Sequence, residues 1–500
     1  MPGKRSQIGW AAAVVLGLAY AVFGAYHLSP WAAAWDEVDF VLALDRFDLL
    51  AMQPHAPGYP YFILGGRLMR FITEDPVRAL GLWNLLLVCS SAYPIYRIAR
   101  RWTAPVYACL AVALTLTLPM NWTLAVRPMS EGAALAILWW YLWTLVRVCE
   151  KGTGGRWLAA AFMFGLLMGT RLSYAPFGLG LLLVWILAWR EREVSLRLRY
   201  SRAILWAGAA AAFQLLWVAG LAAAEGGIRG TMVLMAGFGE GHFTQWGGGV
   251  AQSGLPFRER FVRFVADNWL WSGMSAQSAL LAVMAGLLAI AALVMYGKKK
   301  SRAVAHPKRR EQMLTAAGLI AACALAYAVW ALLGQNIAKP RHAAPLASLT
   351  IFALGVWAVR SRTRTVTALA VLFAAGQTAI GAHLVMLQHD QWPAVYQLAD
   401  RLKDHPAPRT VVYTWEEERV LRYLNVPVQT VPIFTYEYFM ADIAAQPSSR
   451  ILLTGSVWEE FRRQSGLPES KVRLVGVFRS DPRLDPVYGT IPLYEWNREQ

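Results

Sequence analysis

Charge is what this sequence has little of. Asp, Glu, Lys and Arg together make up 16% of its 500 residues, against about 25% in an ordinary soluble domain. A chain so poor in charge cannot present a water-facing surface along its whole length, which excludes a wholly soluble protein. Cysteine is scarce as well. Cys89, Cys109, Cys149 and Cys323 lie in or at the ends of apolar runs, so neither a disulfide framework nor a metal-type spacing is present. There is no internal repeat, no heptad series and no low-complexity tract. The absence of a Walker-type glycine loop removes ATP as the energy source.

What the chain does have is hydrophobic residues, 57% of the total, with a mean hydropathy of +0.37. Apolar runs near the roughly 17 to 25 residues that cross a bilayer occur at 8–28, 79–97, 103–120, 130–149, 157–170, 173–189, 203–223, 274–296, 313–334, 343–359 and 366–386. They predict about eleven transmembrane helices, 157–170 being the shortest. Lys and Arg gather at every second connection, beginning with Lys4 and Arg5. They continue through Arg97, Arg100 and Arg101, then Lys151 and Arg156, then Arg190, Arg192, Arg197, Arg199 and Arg202. Lys298, Lys299, Lys300, Arg302, Lys308, Arg309 and Arg310 follow, and finally Arg360, Arg362 and Arg364. Basic loops stay on the cytoplasmic side, so the N-terminus is expected in the cytoplasm and the tail outside. Topology then accounts for the net charge of +17, and a nucleic-acid partner is excluded despite a pI of about 9.9. The first run is read as an uncleaved span, being long for the apolar part of a secretory signal.

This topology puts three sizeable regions on the extracytoplasmic face: 29–78, 224–273 and 388–500. In the first, Phe40, Ala43, Leu44, Phe47 and Leu50 form one stripe at helical spacing while Asp39, Asp45, Arg46 and Asp48 take the rest, which predicts a helix lying on the membrane. Pro54, Pro57, Gly58 and Pro60 end it. The stretch 61–72, broken by Gly65-Gly66, predicts a second surface helix or a re-entrant turn. The region 224–273, centred on GFGEGHFTQWGGG, reads as a mobile loop. The tail alternates helical and extended patterns, with Thr414 and Glu417 spaced as a capping box, and predicts a small α/β domain.

Several residues on these regions suit chemistry. Asp36 and Glu37 sit side by side just beyond the first span, and a carboxylate near headgroup depth can accept a proton from a hydroxyl nucleophile. The bland reading is an acidic pair that starts a helix and keeps it wet. His55 and Tyr59 belong to the turn HAPGYP. Arg127 and Glu131 are spaced i and i+4 at the mouth of a span, where they can share a helical face. Arg171 interrupts one turn between spans, and Lys339, Arg341 and His342 crowd another. An arginine fork binds phosphate bidentately, so these four cations suit a lipid phosphate or pyrophosphate; as ordinary residues they would snorkel to headgroups. Glu240 and His242 in the glycine-rich region can close over a substrate or simply be solvated. Asn121-Trp122-Thr123 is a chance glycosylation sequon.

The order of these features carries a resemblance. A first span, an acidic pair, a surface helix, the HAPGYP turn, an R-x-x-x-E at a later span, an arginine-bearing proline turn and a soluble outer tail together resemble the GT-C membrane glycosyltransferases. The likeness is narrower to the branch of protein O-mannosyltransferases and aminoarabinose transferases. In architecture it spans the whole chain; in motif it rests on 31–70, with weaker support at 124–132 and 335–346. The turn departs by lacking a second proline after His55, and the tail aligns with no motif.

The resemblance implies an α-helical polytopic membrane fold with a small extracytoplasmic C-terminal α/β domain. Residues 1–387 would form the catalytic module and 388–500 the outer domain. It implies Asp36 as the catalytic carboxylate, with Glu37 in the same acidic pair. Arg127 and Glu131 would frame the site, and Arg341 would hold the lipid phosphate. The expected reaction moves a sugar from a polyprenyl-phosphate donor to a protein, lipid or polysaccharide hydroxyl acceptor, with inversion. No cofactor is assigned; a divalent metal among Asp36, Glu37, His55 and His242 is left open. The compact basic loops suit a bacterial cytoplasmic membrane. Two rival readings are a transporter or flippase of lipid-linked sugars and a non-catalytic envelope assembly protein.

Overall fold

Proline marks the starts of many helices in this chain. Pro60, Pro76, Pro105 and Pro119 each occupy the first turn of a helix, where the missing N–H has no intrahelical partner to lose. A computed structural model describes residues 4–150, 153–189, 195–244, 254–298, 307–360, 363–404, 409–433 and 435–498. Lys151, Arg190, Arg192, Lys299, Lys300, Arg302 and Arg362 of the basic loops, and the later part of the glycine-rich region, lie outside those residues.

The described chain divides into two compact units, Met1–Ser29 with Ala43–Met386, and Pro30–Leu42 with Leu387–Gln500. The first is built from helices. In order they are α1 Lys4–Tyr26, α2 Trp35–Asp45 (whose last residues alone belong here), α3 Pro60–Met69, α4 Pro76–Ala99, α5 Pro105–Leu116, α6 Pro119–Ala125, α7 Ser130–Glu150, α8 Gly154–Thr170, α9 Leu179–Trp189, α10 Leu196–Ala224, α11 Ile228–Thr244, α12 Phe257–Val262, α13 Ala279–Lys298, α14 Pro307–Gly334, α15 Ala344–Arg360 and α16 Arg364–Asp390. Among the described residues seven helices are long and apolar enough to cross a membrane, or nine if each of two bent pairs counts as one span. The chain is an integral membrane protein. The apolar runs at 8–28 and 157–170 fall in α1 and α8, whose described apolar helices are shorter than those seven.

Helix α7 forms the middle of this unit. Ala134, Leu138, Tyr141, Leu142 and Leu145 are fully buried, and apolar residues go right round the helix because neighbours cover every face. Helix α10, by contrast, leaves most of its apolar surface uncovered, as a lipid-facing helix does.

Two expectations need correction. Gly65-Gly66 does not break a helix: both glycines lie inside α3, where a Cβ would fall 2.0 Å from the Trp83 indole at Gly65 and 2.5 Å from Leu80 at Gly66. The pair is there for close packing. Nor is 224–273 a loop in its described parts, which form α11, α12 and a wide-turned helix over Arg263–Met274. The good helix formers and apolar residues of Met232–Met235 offset the helix cost of Gly237, Gly239 and Gly241, about 1 kcal/mol each.

The second unit is α/β. After the body of α2 it contains α17 Ala394–Asp404, β1 Thr410–Thr414, α18 Glu418–Tyr423, β2 Gln429–Pro432, α19 Tyr436–Ala444, β3 Arg450–Thr454, α20 Gly455–Ser465, β4 Val472–Arg479 and β5 Thr490–Trp496. The strand order is β2-β1-β3-β5-β4. The first three strands are parallel, while β5 runs antiparallel to both β3 and β4. β1 is buried at every position, as an internal parallel strand should be. Phe439, Phe461, Trp458 and Trp496 pack beneath the sheet. Residues 30–42 join this unit through specific contacts: Trp31 Nε1 donates to the His389 carbonyl at 3.2 Å, and Arg419 pairs with the fully buried Asp39 at 2.7 Å. Asp39 is therefore not on a wet face, as the helical stripe predicted. Thr414 and Glu417 do interact, Thr414 Oγ1 donating to the Glu417 carboxylate at 2.8 Å. Helix α18 begins only at Glu418, however, so they close a turn before the helix rather than cap it.

On the sheet, Glu495 accepts from Arg450 and Arg473. The Arg450 hydrogen bonds, then those of Arg473, hold its carboxyl below the ordinary range. A depressed folded-state value gives stabilisation that is complete above the unfolded value, about 4.3, and fades as pH falls below it. Glu495→Gln should speed amide exchange in β4 and β5 by roughly two- to fivefold at pH 7, the scale of a partly exposed pair. The difference from wild type should close towards pH 3, as measured by hydrogen exchange on the full-length protein.

Candidate functional site

A carboxylate at the start of a helix meets the positive end of the backbone dipole. Glu131 occupies such a place in the first turn of α7 and is only 1% exposed. Two arginines converge on the same oxygen: Arg171 Nη2 lies 3.0 Å and Arg341 Nε 2.7 Å from Glu131 Oε1. Arg171 follows α8 in an extended conformation and opens the 3-10 turn Leu172–Gly178. Its other terminal nitrogen donates to Ser130 Oγ at 2.7 Å. Arg341 comes from the 3-10 turn Pro340–Ala343. Three segments far apart in sequence thus meet in one buried ionic cluster. Arg341 is its more accessible cation, with a side chain 17% exposed against 8% for Arg171. Burying such charges costs several kcal/mol per ion unless they are paired, and here Glu131 pairs with both arginines.

The carboxylate is held in place by a residue that sequence reasoning passed over. Asn84, fully buried in α4, donates to the carbonyls of Arg127 and Met129 at 2.7 and 2.8 Å and accepts from the Ala133 N–H at 2.8 Å. It clamps the chain on both sides of Glu131. A Cβ on Gly132 would sit 2.4 Å from the Leu124 carbonyl oxygen, so this entry into α7 leaves no room. A lone polar residue inside an apolar run was the available signal.

Arg127 precedes α7, which starts at Ser130, so the shared helical face expected of Arg127 and Glu131 is not formed. Lys339 and His342 are half-buried on the Arg341 turn, and Tyr327 Oη donates to the His342 carbonyl at 2.9 Å. His55 and Tyr59 form their own contact, Nε2 to Oη 3.1 Å, with the imidazole stacked on Phe238 at 5.5 Å. Tyr59 has a left-handed backbone, φ 47°, directly after Gly58 at φ 90°. Glu240 is exposed on α11, while His242 Nε2 donates to the Gly334 carbonyl at 2.9 Å.

Asp36 and Glu37 belong to the second unit. The Glu37 carboxylate is buried and accepts from the Ala33 and Ala34 N–H groups at 2.7 and 3.1 Å, closing the start of α2 as the acidic member of a capping box does. Asp36 beside it is half-exposed. Among the described residues no group of three or more His, Cys, Asp or Glu side chains could hold a metal ion.

Residues 54–217 match the family model described as dolichyl-phosphate-mannose-protein mannosyltransferase. No curated protein matches the chain in sequence. Among solved structures, ArnT from Cupriavidus metallidurans bound to undecaprenyl phosphate is similar over 97% of this chain and 98% of its own, at 12% identity and a TM-score of 0.53. The oligosaccharyltransferase from Archaeoglobus fulgidus in its apo form is similar over 89% of this chain and 69% of its own, at 11% identity and a TM-score of 0.51. The chain has the GT-C fold. The family-model match takes in His55, Tyr59, Asn84, Glu131 and Arg171, while Asp36 and the Arg341 turn lie outside it.

Removing one partner of a buried ionic cluster costs about 3–5 kcal/mol. Arg171→Met should therefore lower the melting temperature of the purified protein clearly. Asn84→Leu should do so as well, because it removes the side-chain donor to the Arg127 and Met129 carbonyls and the acceptor of the Ala133 N–H. Both are read as detergent-solubilised melting curves, with the exposed Arg258→Gln as the neutral reference.

Proposed function

We propose that this protein is a membrane glycosyltransferase that moves a sugar from a polyprenyl-phosphate donor to a hydroxyl acceptor on the extracytoplasmic face. The observation that carries this reading is the match of residues 54–217 to the mannosyltransferase model, because that stretch supplies Glu131 and Arg171 of the buried cluster. The ArnT structure with undecaprenyl phosphate supports the lipid class of the donor.

In this reaction Arg171, Arg341 and Lys339, with Arg127 and His342, hold the donor phosphate. Glu131 keeps the two arginines oriented rather than taking part in bond making. Asp36 takes the proton from the acceptor hydroxyl as its oxygen attacks the anomeric carbon. The bond from that carbon to the phosphate oxygen breaks, and configuration inverts. Lipid phosphate leaves as an anion stabilised by guanidinium groups, so a second carboxylate acting as acid is not needed. Glu37, committed to the start of α2, positions Asp36. His55 and Tyr59 complete the turn ahead of α3, and Glu240 lies on the outer region. Residues 1–387 form the catalytic module and 388–500 the outer domain, in a bacterial cytoplasmic membrane with the N-terminus inside.

Removal of a general base typically costs 10²–10⁴-fold. Asp36→Asn should accordingly reduce transfer from radiolabelled polyprenyl-phosphate sugars in proteoliposomes by at least about a hundredfold at unchanged expression. Residual transfer near the wild-type rate would sink the assignment of Asp36. Movement of lipid-linked sugar between leaflets, without release of polyprenyl phosphate, would instead favour a transporter.

A further inference from the structure

The turn that carries Arg341 is gripped by the region the sequence suggested was a loose loop. Four backbone carbonyls between Leu332 and Ile337 are taken by three side chains from residues 228–274. Arg260 Nε donates to the Leu332 carbonyl and its Nη2 to that of Gln335, both at 2.6 Å. His242 takes Gly334 at 2.9 Å and Asn268 takes Ile337 at 2.7 Å. Arg260 is fully buried. Helix α14 ends at Gly334, so this is its C-terminus, where unsatisfied carbonyls and the negative end of the dipole attract cations.

Lys339 and Arg341 follow only a few residues later. We propose that Arg260, with His242 and Asn268, is a positioning device for the donor site. It occupies the end of α14 and sets the turn Pro340–Ala343, so that Arg341 stays on Glu131 and, with Lys339, lies where a lipid-linked phosphate would be held. The wide-turned helix Arg263–Met274 contributes to this by bringing the Asn268 amide to the Ile337 carbonyl; such i→i+5 turns are rare and often found at functional sites. The functional half of the proposal rests on the glycosyltransferase reading; the grip itself is a matter of geometry.

The test uses full-length wild type, Arg260→Gln and Arg260→Lys in proteoliposomes, with Arg258→Gln as an exposed control. Three readouts are taken: amide exchange over 335–343, steady-state kinetics with a polyprenyl-phosphate sugar, and the melting temperature. Losing a charged hydrogen-bond donor should loosen 335–343 and raise the donor KM about tenfold or more. kcat and the acceptor KM should hardly change, Arg260→Lys should fall between, and Arg258→Gln should match wild type. Faster exchange with an unchanged donor KM would overturn the positioning role, as would kcat and melting temperature falling together, which marks a merely structural residue. If wild type consumes no polyprenyl-phosphate sugar while Arg260→Gln still loosens the turn, the glycosyltransferase reading fails and takes the donor role of Arg260 with it.

Discussion

The helical unit depends on one buried carboxylate answering two guanidinium groups. Glu131 is nearly inaccessible, and its ion pairs with Arg171 and Arg341 tie the start of α7 to the turns after α8 and α14. At membrane depth such charges persist only when paired. A well-packed apolar trio of the same volume would hold the helices at least as well, so the charged cluster suits a role beyond stability.

Around this cluster the fold is arranged as support. Asn84 fixes the backbone on both sides of Glu131, Ser130 orients Arg171, and Arg260 satisfies the end of α14. Each is a buried polar group with its hydrogen bonds made, which is what lets it hold a charged neighbour within a few tenths of an ångström. The second unit uses the same means, with Asp39 paired to Arg419 and Glu37 accepting two backbone N–H groups at the start of α2.

Much of this was legible in the sequence, because the bilayer leaves few options. Apolar runs gave the helices, and the C-terminal tail gave an α/β pattern. Arg171, Arg341 and Glu131 stood out as charges in turns and at span mouths. Their partners were less visible. The spacing of Arg127 and Glu131 suggested a shared face, but helix α7 starts after Arg127, and a boundary shift of three residues undoes any i, i+4 argument. Gly65 and Gly66 looked like breakers because sequence shows flexibility and hides the Trp83 and Leu80 side chains that need the space. Arg260 and Asn268 were concealed by the glycine-rich composition around them, and their acceptors are backbone carbonyls, which leave no mark in a sequence. Strands β2 and β5 are short or interrupted by proline and carry no clean alternation.

The central claim is that the Glu131–Arg171–Arg341 cluster receives a lipid phosphate. The most direct measurement is native mass spectrometry of the protein released from nanodiscs containing undecaprenyl phosphate, comparing wild type with Arg341→Ala. Wild type should carry one bound lipid phosphate and the variant should retain it at least about tenfold more weakly, the scale of a charge-assisted hydrogen bond. Equal retention by both proteins, or none by wild type, would contradict the claim.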